Sequence, residues 1–140
     1  AFVQHSKTTT LDAATLLMPL VKFMGPTDPR WLSTLRAIEQ DLVDDSLVFR
    51  YRVGQGAPDG LEGDEGTFSM CSFWYVESLA RAGDVQKARF LFEKMLGYAN
   101  HVGLYAEELA LRQCPETIAC KHSVFAPQVH DIGDGPHCRQ

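Results

Sequence analysis

Apolar residues in the first part of the chain follow a helical period in two segments that form a pair. Residues 11–24 are apolar around nearly the whole circumference of a helix, which is typical of burial on all sides. Pro19 would kink this helix or shorten its hydrogen-bond ladder. Residues 29–43 are apolar on one face only, with Asp28 as the N-cap and Pro29 at the first helical position. The predicted buried face of this second helix comprises Trp31, Leu35, Ile38 and Leu42.

A second pair of helices repeats the same order further along the chain. Residues 66–82 are again apolar on all sides, and Gly83 is a C-terminal stop signal. Asp84 is the predicted N-cap of a one-sided helix that runs to about residue 100. Its predicted buried face comprises Val85, Ala88, Phe92, Met95 and Ala99. We expect all four spans to be helical throughout, without strands.

The alternation of buried and half-exposed helices predicts an all-α fold. Helices covered on every side, inside an outer layer that faces water, are typical of a concentric helical toroid or a solenoid. The spans 11–24 and 66–82 would then be parallel inner helices. A four-helix bundle is the alternative, but a bundle would prefer four amphipathic helices. Two helices buried all round cannot be covered by two others, so we expect a fragment of a larger domain with a large exposed apolar patch.

Composition and charge exclude several classes of protein. The 140 residues are 45% hydrophobic and 22% charged, which suits one soluble globular domain. The net charge of -5 and the absence of a basic run argue against a nucleic-acid partner. No apolar stretch reaches the ~20 residues of a membrane span, and residues 1–10 do not resemble a signal peptide. A cytoplasmic protein is the expectation, and the oligomeric state stays open.

The segments between the helix pairs carry candidate chemistry. Residues 44–53 alternate weakly and are predicted to be extended, whereas residues 54–66 form a long polar loop with five glycines and four carboxylates. At the mouth of an inner ring such a loop would line the site. The alternative is a solvated loop in which Asp64 or Glu65 caps the next helix.

Two adjacent carboxylates follow the second amphipathic helix. Glu107 and Glu108 lie beside aromatic and apolar neighbours, an environment that can hold a general base. The alternative is a pair of ordinary surface acids or acids near the start of a helix.

Four stretches of the chain resemble glycoside hydrolase family fifteen, the glucoamylases and their bacterial trehalase-like relatives. They read TLDAATLLMPLVKFMGPTDPRW, LVFRYR, GDEGTFSMCSFWYVESLARAGDVQKARFLFEKML and YANHVGLYAEE. The third is the most specific, because it combines small, aromatic and Cys residues ahead of a Glu-bearing helix. The resemblance implies an (α/α)6 toroid, of which residues 1–108 would supply two inner and outer helix pairs. It also implies hydrolysis of α-glucosidic bonds with inversion.

The resemblance also implies roles for individual residues. Glu107 matches the general base, and Glu108 is the weaker candidate. The family's general acid lies in an upstream Trp-Glu segment that this chain does not contain, so no acid is assigned and the isolated chain should be inactive. The two carboxylates of an inverting enzyme lie roughly 6.5–9.5 Å apart to admit a water, and the mechanism needs no cofactor.

Four further residues are predicted to contact the sugar. Arg50, followed by Tyr51, resembles an Arg-Tyr pair whose guanidinium binds sugar hydroxyls, and an exposed loop cation is the alternative. Phe68 matches an aromatic position that lines the pocket, and a core position is the equal alternative. Glu65 belongs to the loop at the pocket mouth. The substrate itself stays open between maltooligosaccharides, trehalose and other α-glucosides.

The last part of the chain departs from the family pattern. Residues 109–140 contain prolines and few periodic apolar residues, which predicts an irregular tail. A frame change, an assembly error or a truncated gene copy would each account for it. The spacing of its potential ligands does not match a zinc site, so no metal is predicted. These residues are Cys114, Cys120, His122, His130, His137 and Cys138.

Two other functions remain as alternatives to a glycoside hydrolase. The first is a non-catalytic helical-hairpin interaction module, in which the apolar helices form the core and the acidic loops form the surface. The second is a different (α/α) toroid enzyme, such as an epimerase or a lyase. An upstream Trp-Glu motif would favour the hydrolase over both.

Overall fold

The computed structural model of the chain describes residues 1–52 and 66–109. This part is helix-rich. Its helical elements are a 3-10 turn (Ala13–Leu16), α1 (Leu17–Leu20), α2 (Pro29–Asp41), α3 (Ser69–Ala82) and α4 (Val85–Leu96). It also contains four two-residue strands, β1 (Val43–Asp44), β2 (Leu47–Val48), β3 (Thr67–Phe68) and β4 (Glu108–Leu109). Within these residues, no helix combines the length and the apolar character that crossing a bilayer requires.

The start and the buried face of α2 agree with the prediction. The Asp28 side chain accepts a hydrogen bond of 2.9 Å from the Arg30 amide, and Pro29 occupies the first helical position. The Arg30 guanidinium also pairs with this carboxylate at 2.8 Å, and it lowers the pKa of Asp28 to about 2. The four residues of the predicted face are all buried. The helix ends at Asp41 rather than residue 43, because Val43 enters β1.

The predicted first helix over residues 11–24 is wrong in length and in burial. Its place is taken by the 3-10 turn and the single turn of α1. Pro19 has no amide hydrogen to continue the ladder, and Lys22 adopts a left-handed conformation with φ 61°. Beyond α1, Val21 and Phe23 are exposed. The helix therefore ends after one turn, although Met24 beyond it still packs against the larger apolar cluster of the core.

The third span is helical only from Ser69 onward. Thr67 and Phe68 form β3, and Phe68 is the N-cap of α3, so neither Asp64 nor Glu65 holds the cap position. The expectation of strand-free helical spans is thus wrong here, as it is at Val43. The helix is also not covered on every side, because Met70 is exposed.

The turn between α3 and α4 follows the predicted stop and start signals. Gly83 adopts a left-handed conformation with φ 98°, and its amide donates to the Ala80 carbonyl. The Asp84 side chain then accepts a hydrogen bond of 3.2 Å from the Lys87 amide and caps α4. Two helices joined by so short a connection must pack as antiparallel neighbours.

The buried face of α4 differs from the predicted one. Ala88, Leu91 and Met95 are buried, whereas Val85 and Phe92 are exposed. Leu91 fits the same three- and four-residue spacing between Ala88 and Met95, so the choice between Leu91 and Phe92 depends on how α4 is rotated against α3. Phe92 instead packs against Phe73 in a T-shaped arrangement, with ring centroids 6.4 Å apart.

Two apolar clusters hold these elements together. The larger one joins the 3-10 turn, α2, α3 and α4 around Trp31, Ile38 and Tyr75. Glu39 of α2 and Lys87 of α4 also form an ion pair between these two helices. Burial raises the pKa of Tyr75 to about 12, and the Glu39 charge adds to the effect. The smaller cluster joins β2, α4 and β4 through Leu47, Met95 and Leu109.

We predict that Gly83→Ala lowers the free energy of unfolding by about 1 kcal/mol, because a side chain disfavours the left-handed conformation. A Cβ at this position would meet no atom within 4 Å, so backbone strain is the only cause. Urea unfolding followed by circular dichroism measures the change.

Gly25→Ala is the matched control for this prediction. A Cβ at Gly25 also meets no atom within 4 Å, and its φ lies outside the left-handed range. Alanine there should leave stability unchanged or raise it by less than about 1 kcal/mol. Equal losses in the two variants would contradict the role of Gly83.

Candidate active site

Three segments that are distant in sequence meet in a short antiparallel ladder at the N-terminal end of α3. The hairpin of β1 and β2 pairs Val43 with Val48, which confirms an extended start for the segment after α2. Phe49, directly after β2, bridges to Thr67 of β3. Thr67 in turn pairs with Leu109 of β4. Neighbouring strands lie about 4.8 Å apart, so the backbones of Phe49 and Leu109, on either side of Thr67, are roughly 10 Å apart.

The backbone of Glu107 is held at the start of α3. The Ser69 amide, which is the first of the helix, donates a 3.0 Å hydrogen bond to the Glu107 carbonyl. On one side Tyr105 packs edge-on against Phe73, with ring centroids 5.0 Å apart. On the other side Leu109 is buried in the smaller cluster. The Glu107 side chain itself is exposed, so a fixed backbone presents a carboxylate to solvent.

The two adjacent carboxylates have different surroundings. The Glu108 carboxylate accepts a hydrogen bond from the Gly66 amide, and Glu108 lies opposite Phe68 in the ladder. Within residues 1–52 and 66–109, the carboxylate of Glu107 has no hydrogen bond or ion pair. The Glu108 carboxylate is therefore engaged in closing the ladder, and the Glu107 carboxylate is not.

Arg50 is fixed through its backbone and exposed at its guanidinium. Its carbonyl accepts a 2.8 Å hydrogen bond from the Ala13 amide, at the start of the 3-10 turn. The guanidinium carbon lies 5.7 Å from the centre of the Tyr51 ring. A cation at this distance is attracted to the face of the ring. The arrangement keeps the charged group at the surface, next to an aromatic side chain.

The charged side chains of Asp12 and Arg50 affect the pKa of Cys71, which lies near the start of α3. Burial raises the pKa of the Cys71 thiol to about 11, the Asp12 carboxylate raises it further, and the Arg50 guanidinium acts in the opposite direction. Cys71 is one turn or less from the helix start, so Arg50 and Asp12 both lie near this end of α3. At neutral pH the thiol is protonated and unreactive.

The remaining predicted site residues fall in different places. Phe68 is half-buried and packs against the larger cluster, so part of its ring belongs to the core. Glu65 and the candidate metal ligands between Cys114 and Cys138 lie outside the described residues. Among residues 1–52 and 66–109, no three His, Cys, Asp or Glu side chains cluster as metal ligands would.

Several residues that build the site escaped sequence reasoning. Thr67 is wholly buried, and its hydroxyl donates a 3.0 Å hydrogen bond to the Leu109 carbonyl. The hydroxyl of Ser72 bonds to both β2 and the residue before α3. Gly66 lies against β4, where an added Cβ would come within 2.6 Å of the Leu109 carbonyl oxygen. The available signal was the presence of small and hydroxylated residues within an apolar run.

Comparison with known proteins gives a family match over most of the chain. The model of the family described as "Glycosyl hydrolases family 15" matches residues 1–131. The match extends past the predicted boundary at residue 108, which stays a prediction. No solved structure matches the chain.

The chain also aligns with individual relatives, three of which are 29–46% identical to it over the aligned residues. A trehalase of Mycobacterium tuberculosis is 46% identical over 111 residues, which are 79% of this chain and 16% of the relative. A trehalase of Thermoplasma volcanium is 44% identical over 110 residues, 78% of this chain and 17% of the relative. Trehalase 1 of Sulfolobus acidocaldarius is 29% identical over 109 residues, 78% of this chain and 19% of the relative. The chain thus spans less than a fifth of the length of these relatives.

We predict that Gly66→Ala disrupts the ladder, because the new Cβ would lie 2.6 Å from a backbone oxygen that must then move. The free energy of unfolding should fall by about 1–3 kcal/mol, as in other overpacked sites. The Ser69 amide, which donates to Glu107, should exchange its hydrogen faster, and NMR measures that rate. Gly25→Ala serves as the control, and equal Ser69 exchange in both variants would contradict the prediction.

Proposed function

The chain belongs to glycosyl hydrolases family 15, and from that premise we propose that the whole protein hydrolyses an α-glucosidic bond with inversion. The observation that carries this proposal is the contrast at residues 107 and 108. The Glu107 carboxylate is exposed, free of partners among the described residues, and attached to a backbone pinned to α3. Such a group can meet a water and a sugar without first breaking a bond within the protein.

In the proposed reaction Glu107 is the general base. Its carboxylate takes one proton from a water molecule, whose oxygen attacks the anomeric carbon of the sugar. The glycosidic bond breaks, and its electron pair stays with the leaving oxygen. A carboxylic acid on the opposite face supplies the proton that this oxygen requires. The chain contains no Trp-Glu segment, so in this proposal the acid comes from a part of the protein outside these residues.

The substrate is held by residues near the same end of α3. Arg50 donates hydrogen bonds to sugar hydroxyls, and its exposed guanidinium beside Tyr51 supports this role. The part of Phe68 that does not pack on the core faces the sugar. Glu65 contacts the sugar from the loop at the mouth of the pocket, as the family resemblance implies.

The relatives support an α-glucoside as the substrate, and trehalose in particular. The three relatives compared above are named trehalases. Maltooligosaccharides stay an alternative, because the family also includes glucoamylases. The two-carboxylate mechanism requires no metal or organic cofactor.

We place this chain in a ring of inner and outer helices, the (α/α)6 toroid implied by the resemblance. The packing of α3 against α4 supports one inner and outer pair. Exposed apolar side chains on α3 and after α1, such as Met70, Val21 and Phe23, would be covered by helices from the rest of the protein. The cytoplasmic location stays a prediction.

The alternative of a non-catalytic interaction module also has an observation in its favour. The outer helix α4 exposes Phe90, Phe92 and Leu96 in addition to Val85. Exposed apolar groups of this kind can mark a surface that binds another protein. In that case substitution of Glu107 or Glu108 would not change the rate of hydrolysis.

We expect Glu107→Gln to lower kcat about 10²–10⁴-fold with KM little changed, because the amide keeps the shape but cannot take a proton. The assay uses a full-length M. tuberculosis trehalase whose matching segment is replaced by this chain, with trehalose as the substrate. Glu108→Gln is the matched control. Its amide oxygen can still accept the Gly66 hydrogen bond, so its kcat should fall far less. If Glu108→Gln abolishes turnover instead, Glu108 is the base. If both variants keep their kcat, the proposal is refuted.

The isolated 140-residue chain should hydrolyse no α-glucoside, because it supplies a base without the acid that protonates the leaving sugar. Loss of one such group costs about 10²–10⁴-fold in rate. Glucose release from trehalose and maltose, measured over a day at high protein concentration, tests this. Release that disappears in Glu107→Gln would show that the chain contains both groups.

A further inference from the structure

The hydroxyl of Ser72 joins two segments of the candidate site inside the core. It accepts a 3.0 Å hydrogen bond from the Val48 amide of β2. It also donates a 3.0 Å hydrogen bond to the carbonyl of Phe68, the residue that caps α3. The side chain is wholly buried, so water cannot replace either partner. One oxygen atom therefore links β2 to the start of α3.

These two bonds leave little choice of side chain at this position. A serine within a helix commonly donates to the carbonyl four residues earlier, which here is Phe68. The same oxygen is then free to accept an amide hydrogen from another element. Alanine would remove both bonds and leave the Val48 amide buried without a partner, which is the costly half of the change.

Ser72 acts on the segment that carries Arg50. Val48 is two residues before Arg50, and Phe49 between them is the ladder partner of Thr67. By contrast, Glu107 is held by the Ser69 amide and by the pairing of β3 with β4. The bond from Val48 to Ser72 therefore helps to position the proposed sugar-binding residue, together with the bridge from Phe49 to Thr67, and Ser72 makes no bond to the proposed base.

We propose that Ser72 is a positioning residue that sets substrate affinity through Arg50. This inference rests on the proposed function, in which Arg50 binds sugar hydroxyls. Removing the hydroxyl lets β2 shift relative to α3 and moves the guanidinium away from the sugar. The effect falls on KM rather than on kcat, which separates Ser72 from the proton-transfer residue.

Ser78 provides a matched control on the same helix. It is also wholly buried, and its hydroxyl donates a 3.3 Å hydrogen bond to the Leu16 carbonyl. Ser78→Ala therefore removes a buried hydroxyl from α3 without touching β2. If Ser72→Ala and Ser78→Ala had the same effect on hydrogen exchange and on KM, that effect would come from a general loss of helix stability.

The first experiment measures the two hydrogen bonds of Ser72, which we call the Ser72 anchor, in the full 140-residue chain. Amide hydrogen exchange by NMR should show faster exchange at Val48 in Ser72→Ala, relative to Leu91 of α4, and no such change in Ser78→Ala. Ser72→Thr keeps the hydroxyl and should restore slow exchange. Should Ser72→Ala unfold, Ser72→Cys, whose thiol is a weaker acceptor, gives the same comparison. Unchanged exchange at Val48 would overturn the inference.

The second experiment measures its consequence in the trehalase chimaera. Ser72→Ala should raise KM for trehalose about five- to tenfold, a change typical of one lost hydrogen bond, with kcat within about twofold. In an Arg50→Ala background it should raise KM no further, because both changes act on one contact. A full additional rise in that background, or a fall in kcat alone, would overturn the inference.

Failure of the proposed function would have a different signature. An unchanged KM in Arg50→Ala alone would refute the sugar contact, and with it the effect of Ser72 on affinity. The exchange rate at Val48 would still show whether the anchor exists. The two experiments together therefore show whether a negative result refutes the sugar contact of Arg50 or the positioning role of Ser72.

Discussion

The candidate site depends on the burial of Thr67 between two other segments. Its backbone pairs with Leu109 and bridges to Phe49, and its hydroxyl donates to the Leu109 carbonyl. Because Thr67 is wholly buried, these groups have no alternative partner in water. The exposed Arg50 and Glu107 are placed by this pairing, although neither belongs to it. Charged residues at the surface thus derive their geometry from a neutral, buried residue.

Local signals in the sequence predicted the parts of the fold that depend on local chemistry. Asp28, Gly83 and Asp84 each act on neighbouring backbone groups, so their roles could be predicted without knowledge of the rest of the chain. The buried face of α2 was predicted correctly, because only one face of that helix is apolar. On α4 both Leu91 and Phe92 were compatible with the period, and only packing against α3 distinguishes them.

The ladder and the anchor at Ser72 could not be predicted in the same way. Strands of two residues have no period, and their partners lie far apart in sequence. Gly66 and Ser72 matter because of what approaches them, a property that no single sequence shows. Their aromatic and apolar neighbours made both glutamates candidates, but only the resemblance to a family singled out Glu107, since an adjacent pair of glutamates is otherwise an ordinary surface feature. The structure adds the difference between the two carboxylates, because among the described residues that of Glu108 is bonded to the ladder and that of Glu107 is not.

The ladder also has a consequence for the order in which the chain folds. The helices α3 and α4 meet through a turn at Gly83, so their contacts close a short loop. The hydrogen bond from Thr67 to Leu109 closes a loop with a sequence separation of 42 residues. Contacts of larger sequence separation cost more chain entropy and tend to form later. The helical hairpin can therefore exist before the site does, and fraying of β4 would release Glu107 while leaving the hairpin intact.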